Sequence, residues 1–198
     1  MIKVRVSQPT SEPVTLAEAK LWIPGAEDAW LSAMIPMVRE VVELWTSRVL
    51  AQSTWKVGYN ADEVAKVMRL PIRPVSAITS CEIYLPDGTQ INLTPVPQHR
   101  ISGEFVVHWA DVSEITHYDL DTENALVLTV TAGYQSSAEI PSILRIGVRE
   151  ILAYWHQNRG EGFSLTGAVR ESGVGAATVP PPVPLWVRQR LADMVHAC

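Results

Sequence analysis

The residues best equipped for chemistry do not assemble into a reactive pattern. Asp119, Asp121 and Glu123 alternate like the first ligands of a calcium loop, but Asn124 and Val130 stand at its sixth and twelfth positions. That loop needs glycine at the sixth for a sharp turn and glutamate at the twelfth for bidentate coordination, so a solvated acidic loop accounts for these carboxylates. His99, His108, His117, His156 and His196 show neither H-x-x-x-H nor H-E-x-x-H spacing, the spacings that present two imidazoles to one zinc ion. Gly160, Gly162 and Gly167 depart from G-x-G-x-x-G and follow a helical segment, whereas a phosphate-binding loop leads from a strand into a helix. Ser164 lies in Gly162-Phe163-Ser164-Leu165-Thr166, with Thr166 where a nucleophile elbow requires its second glycine. Asn92-Leu93-Thr94 is a formal glycosylation sequon, relevant only to a secreted protein. Cys81 and Cys198 form no C-x-x-C pair and read as reduced thiols. Glu104, His108 and Asp111 are the remaining set that a fold could gather into an acid–base site. The sequence therefore assigns no catalytic, metal-binding or cofactor-binding residue and calls for no cofactor.

Composition agrees with a packed structural domain. The 198 residues carry 16 Lys+Arg against 21 Asp+Glu, a formal net charge of −5, and 47% are hydrophobic. That is too apolar for a disordered chain and too acidic for a protein that coats nucleic acid by neutralising phosphates. The opening Met1-Ile2-Lys3-Val4-Arg5-Val6 alternates charge with apolar side chains and lacks the h-region of a signal peptide. No window approaches the ~20 apolar residues that cross a bilayer, so no membrane partner is expected and synthesis in the cytoplasm is.

Helices flank a β-rich centre. Thr15 and Glu18 fit a capping box opening a short helix to Trp22, closed by Pro24-Gly25. A longer helix is expected from Asp28 to Arg48. Trp30, Met34, Met37, Val41 and Trp45 recur on it at helical spacing and are expected to be buried, with a kink at Pro36. Strands are expected over Thr54–Tyr59, Val67–Leu70, Val75–Leu85, Ile91–Leu93, Phe105–Trp109 and Leu126–Thr131, with Pro86-Asp87-Gly88-Thr89 as a hairpin turn and Asp111–Glu123 as a loop. Helix resumes at Pro141, burying Leu144, Val148, Ile151 and Trp155, and a last helix begins near Leu185 with Val187, Leu191 and Met194 on one face. The expected fold is α+β, mainly an α-helical bundle with an inserted small antiparallel β subdomain. Its parts are an N-terminal helical part (1–50), the β subdomain (51–135), a helix completing the bundle (136–160), a Gly/Pro-rich flexible segment (161–184) and a C-terminal helix or tail (185–198).

Seven tryptophans exceed the needs of a small core, and Trp with Arg is enriched where proteins grip one another. Trp22, Trp30 and Trp186 lie near helix ends or the terminus, and Arg188 and Arg190 follow Trp186 closely. Leu185, Trp186, Arg188, Arg190 and Leu191 are the candidate partner-binding residues, with Trp186 as anchor.

Read in order, the segments resemble the head–tail connector (adaptor) proteins of tailed bacteriophages. Val14-Thr15-Leu16-Ala17-Glu18-Ala19-Lys20 is similar to that family's V-T-L-x-E-A-K opening. Val42-Glu43-Leu44-Trp45-Thr46-Ser47-Arg48-Val49-Leu50 resembles its V-E-x-x-T-x-R-x-L segment, and Gln52-Ser53-Thr54-Trp55 its Q-T-W strand. Leu70-Pro71-Ile72-Arg73-Pro74-Val75 and Thr129 to Tyr134 are similar to its L-P-x-x-P-V and T-x-T-A-G-Y segments. Ile140-Pro141 to Arg159 resembles its helix ending in W/Y-x-x-R, and Val183-Pro184-Leu185-Trp186-Val187 with Leu191 its V-P-x-x-V-x-x-L-L tail. Pro36 and the long Gly/Pro-rich stretch depart from the pattern.

The resemblance runs from Val14 to about Val195 and implies a non-enzymatic virion protein of the neck, assembled in the host cytoplasm. It implies a homo-oligomeric ring of about twelve subunits that sits under the portal protein and extends the DNA channel. That ring docks the next neck, stopper or tail protein and passes double-stranded DNA without sequence-specific binding. The alternatives are another neck protein, such as a tail-completion or stopper protein, and an enzyme using scattered groups such as Glu104, His108 and Asp111.

Overall fold

A computed structural model describes residues 2–9, 11–158 and 183–196. In chain order its elements begin with β1 (Ile2–Arg5), α1 (Leu16–Trp22), α2 (Asp28–Thr46), β2 (Ser53–Tyr59), β3 (Val67–Arg69), β4 (Val75–Tyr84) and β5 (Gln90–Asn92). They continue with β6 (His99–Ser102), β7 (Val106–Trp109), α3 (Ser113–Thr116), β8 (Leu126–Ala132), α4 (Ser142–Gln157) and α5 (Leu185–His196). The chain divides into a sheet unit, Met1–Ser11 with Ser47–Ser136, and a helical unit, Glu12–Thr46 with Ser137–Cys198.

The sheet unit holds two antiparallel sheets, of order β1-β2-β8-β4-β5 and β3-β7-β6. β8 is central and alternates strictly, burying Leu126, Leu128, Val130 and Ala132, as a strand with one face on a core must. Met68 and Trp109 of the small sheet join Val57, Ile83 and Leu128 of the large one in a single core. The indole N–H of Trp109 donates to the Met68 sulfur at 3.2 Å, so its polar atom is not stranded. Pro86–Thr89 turns as its sequence predicts: Gly88 has φ +81° and the Asp87 carboxylate accepts from the Thr89 amide at 2.8 Å. β8 ends at Gly133 (φ +106°), where a Cβ would lie 2.7 Å from the Ala51 backbone, so only glycine fits.

These sheets correct the expected fold class. With 34% helix and 27% strand, the protein is not mainly a helical bundle carrying a small inserted sheet. Two strands escape the sequence reading. Ile2–Arg5, in the stretch assigned to the helical part, is the edge strand β1, and His99–Ser102 is β6. The acidic stretch also contains the one-turn helix α3 rather than loop alone.

In the helical unit, Thr15 caps α1: its hydroxyl accepts from the Glu18 amide, and the Glu18 carboxylate accepts from the Thr15 amide at 2.9 Å. α4 buries Leu144, Val148, Ile151 and Trp155, the face read from the sequence, together with Gly147 and Leu152. α2 runs unbroken through Pro36, but its buried face is not the expected one. Leu31, Ile35, Val38, Val42 and Thr46 are buried, while Met37 and Trp45 are each 37% exposed. The two stripes have identical spacing and differ by one residue, a rotation of about 100°.

The polar residues on the inward face decide which stripe wins. Arg39 is only 2% exposed, and its guanidinium meets Glu12 at 2.9 Å, Glu43 at 3.2 Å and Glu40 at 3.6 Å. A buried guanidinium is tolerated only when its donors find carboxylates; Glu43, four residues on, accompanies Arg39 in any rotation of α2, and Glu12, outside the helix, meets it in this one. Arg39→Ala removes the buried guanidinium that Glu12 and Glu43 pair with and is expected to destabilise the fold by about 3–5 kcal/mol. Urea unfolding monitored by circular dichroism measures this.

Candidate interaction surfaces

α5 is built with two unlike faces. Val187 and Leu191 are buried, Leu191 packing on Gly147 of α4, whose Cα has no room for more than a small substituent. Val183 is buried just before the helix, and its carbonyl accepts from the Arg188 guanidinium at 2.9 Å. The Arg188 guanidinium also lies 4.5 Å from the Trp45 ring of α2, a cation–π contact. On the other face Leu185 and Trp186 are exposed, and Arg190 pairs with Glu150 of α4 while lying 5.8 Å from the Trp186 ring. A groove bounded by Ile146, Arg149, Tyr154, Trp186 and Arg190 runs between α4 and α5.

The structure therefore separates the five residues singled out on the sequence. Leu191 is a packing residue, Arg188 ties α5 to α2, and Leu185, Trp186 and Arg190 form the presented ridge. The spacing of Val187 and Leu191 already marked the inward face; the partners of the two arginines had no signal in the sequence. The 161–184 segment, apart from its last two residues, lies outside the described residues, as do the Gly160 to Gly167 and Ser164 motifs and the side chain of Met194.

Arginine or histidine against tryptophan recurs across the helical unit. Arg149 stands 5.9 Å from the Trp22 ring, and His156 meets Trp30 edge-on at 5.1 Å. Leu21 and Leu44 are 82% and 80% exposed. Of the α2 stripe expected to be buried, Met37 and Trp45 lie at the surface, and Trp with Arg are the types that carry interface energy.

The sheet unit has its own exposed apolar stripe. Ile2, Val4 and Val6 alternate onto one face of β1, 54%, 56% and 57% exposed. Ile2 and Val4 line a groove of about 520 Å3 with Gly58 and Val127, rimmed by Asp121 and Glu123. Lys56 also lines it and pairs with Glu82 at 3.1 Å. Gly58 keeps the floor low, since a Cβ there would strike the Asn124 side chain at 2.8 Å.

The scattered ionisable groups are each held by a different structural partner. Glu104 pairs with Arg48 at 2.9 Å, His108 hydrogen-bonds Ser102 at 2.8 Å, and Asp111 accepts from the Ser113 amide and hydroxyl. The hydrogen bonds from Ser113 hold the Asp111 carboxyl below its ordinary range. Burial pushes the Tyr134 phenol up, against the pull of Arg48 beside it. Burial also raises the Cys81 thiol to about 12, leaving it without thiolate at neutral pH. Among the described residues no three His, Cys, Asp or Glu side chains are grouped to hold a metal, and no helix is long and apolar enough to cross a membrane.

Solved structures with this fold exist. The chain superposes on one in the neck of an empty gene transfer agent (GTA) particle reconstructed with C6 symmetry, with a TM-score of 0.68, 17% identity, and coverage of 98% of this chain and 95% of that one. A chain from the virion of the native particle gives 0.65 at 17% identity, covering 95% and 93%. One from the native neck reconstructed with C12 symmetry gives 0.64 at 17% identity, covering 98% and 94%. No protein-family model matches the sequence, and no curated protein does. The fold is thus that of neck chains of a phage-like particle.

The two faces of α5 predict opposite mutational outcomes. Leu191→Ala is expected to cost about 2–5 kcal/mol of stability through the cavity it leaves. Trp186→Ala is expected to change stability by less than about 1 kcal/mol, because half its ring is already in water. Thermal unfolding of the two variants checks both.

Proposed function

We propose that this protein is a structural subunit of the neck of a tailed phage or phage-like particle, an adaptor forming a ring under the portal. The observation that carries this reading is the match of nearly the whole chain to neck chains of cyclic assemblies. The surface chemistry supports it. A cyclic ring needs two unlike patches on each copy, and each unit displays an apolar patch of its own, around Leu185 and Trp186 in one and along β1 in the other. The ridge of Leu185, Trp186 and Arg190, oriented by Arg188 and Leu191, is the docking element for the portal or a ring neighbour.

A net charge of −5 per copy, repeated around a ring, repels the DNA backbone and keeps a channel wall from retaining it. The work of such a subunit is to extend that channel and offer a platform to the next neck or tail protein. It needs no reacting group and no cofactor, and it is assembled in the host cytoplasm before residing in the virion.

A tail-completion or stopper protein would occupy another ring, and particle composition separates the two. Mass spectrometry of purified DNA-filled heads that lack tails is expected to find this polypeptide with the portal protein. Its absence from those heads, with presence on free tails, would assign it to the tail side.

A further inference from the structure

The ridge on α5 and the groove beside β1 are complementary in polarity and charge. The groove has an apolar floor of Ile2, Val4 and Val127 and an anionic rim of Asp121 and Glu123. Lys56, the cation lining it, is already paired with Glu82. Lys3 and Arg5 alternate to the other face of β1, where they stand in register with Val57 and Trp55. The ridge presents Leu185 and the indole of Trp186 beside Arg190, which is more than half exposed and pairs with Glu150 of α4. At about 520 Å3 the groove has room for an indole and a neighbouring aliphatic side chain.

Both patches are exposed in the isolated chain, Val4 by 56% and Trp186 by 46%. Neither is suited to bind its own kind. Two copies of the groove would bring like carboxylates together, and two copies of the ridge would oppose arginines, each costing energy. Unlike patches on one chain make a head-to-tail contact, which closes into a ring when the rotation per copy allows.

We propose that the Leu185–Trp186–Arg190 ridge of one copy seats in the β1 groove of the next, with Trp186 on Val4 and Val127 and Arg190 facing Asp121 and Glu123. This rests on the ring reading above and assigns the ridge to the neighbouring copy rather than to the portal. Arg190 then exchanges or shares its pairing with Glu150 for the partner's rim, and the apolar stripe of β1 leaves water.

Disulfide trapping between two singly labelled proteins tests it. In a Cys198→Ser background, Cys81 stays buried and protonated, so Val6→Cys beside the groove and Gln189→Cys beside the ridge each supply one reactive thiol while Val4, Trp186 and Arg190 stay in place. The two proteins are mixed under copper-phenanthroline and the mixed dimer is followed on non-reducing gels. Trapping is expected to run at least about tenfold faster than for Gln189→Cys with Thr89→Cys, an exposed thiol on the β4–β5 turn. Replacing Asp121 and Glu123 by lysine is expected to abolish that excess. Equal rates for the two pairs, or an excess indifferent to the lysines, would overturn the seating of ridge in groove. The neck reading is judged separately, from the protein content of tail-less heads, and the ring from a reconstruction of the neck.

Discussion

Arg39 cannot be buried without carboxylates around it, and that requirement fixes how α2 sits in the helical unit. Its guanidinium meets Glu12, outside the helix, with Leu31, Ile35, Val38 and Val42 turned inward, while Glu43 rides on α2 beside it. The same rotation carries Met37, Leu44 and Trp45 to the surface. Hydrophobic area alone would favour the other stripe, which holds two tryptophans and two methionines. The observed rotation instead buries Arg39, whose pairing with Glu12 and Glu43 offsets the cost of taking its charge out of water. The consequence reaches α5, because Arg188 stacks on the Trp45 that α2 presents. From there Trp186 and Arg190 are held on the outside.

A protein built this way spends its apolar surplus on surfaces. The ionisable groups of the sheet unit close turns and tie strands: Asp87 and Asp111 cap local amides, Arg48 joins Glu104 and Tyr134, and Lys56 bridges to Glu82. Exposed β-branched residues on an edge strand are normally a hazard, because they invite pairing with another chain. In the proposed ring the same feature is an asset.

Much of the local structure was legible in the sequence because it rests on short-range chemistry. Thr15 and Glu18 satisfy one another within a single turn, Pro86–Thr89 can only turn, and the spacing on α4 had no competing apolar stripe. The α2 face was not legible. Two stripes of equal period stood one residue apart, and the deciding partner, Glu12, acts across 27 positions of sequence. β1 was missed because its alternation of charge and apolar residues puts the apolar side in solvent, so no burial signal marks it. β6 is four residues long and takes its stability from pairing with β7. Once those short strands are counted, sheet has a larger share than a helical bundle with a small insertion allows. The ridge on α5 was found through its residue types; that Leu191 and Arg188 serve inside the unit while Trp186 faces out depended on contacts with α2 and α4.

The most direct measurement is a cryo-electron microscopy reconstruction of the particle that contains this polypeptide, with the neck refined without imposed symmetry. The expected result is a closed ring of identical copies around the axis next to the portal, each fitted by the two units described above. A neck whose density has no place for this fold, in particles shown by mass spectrometry to contain the chain elsewhere, would contradict it.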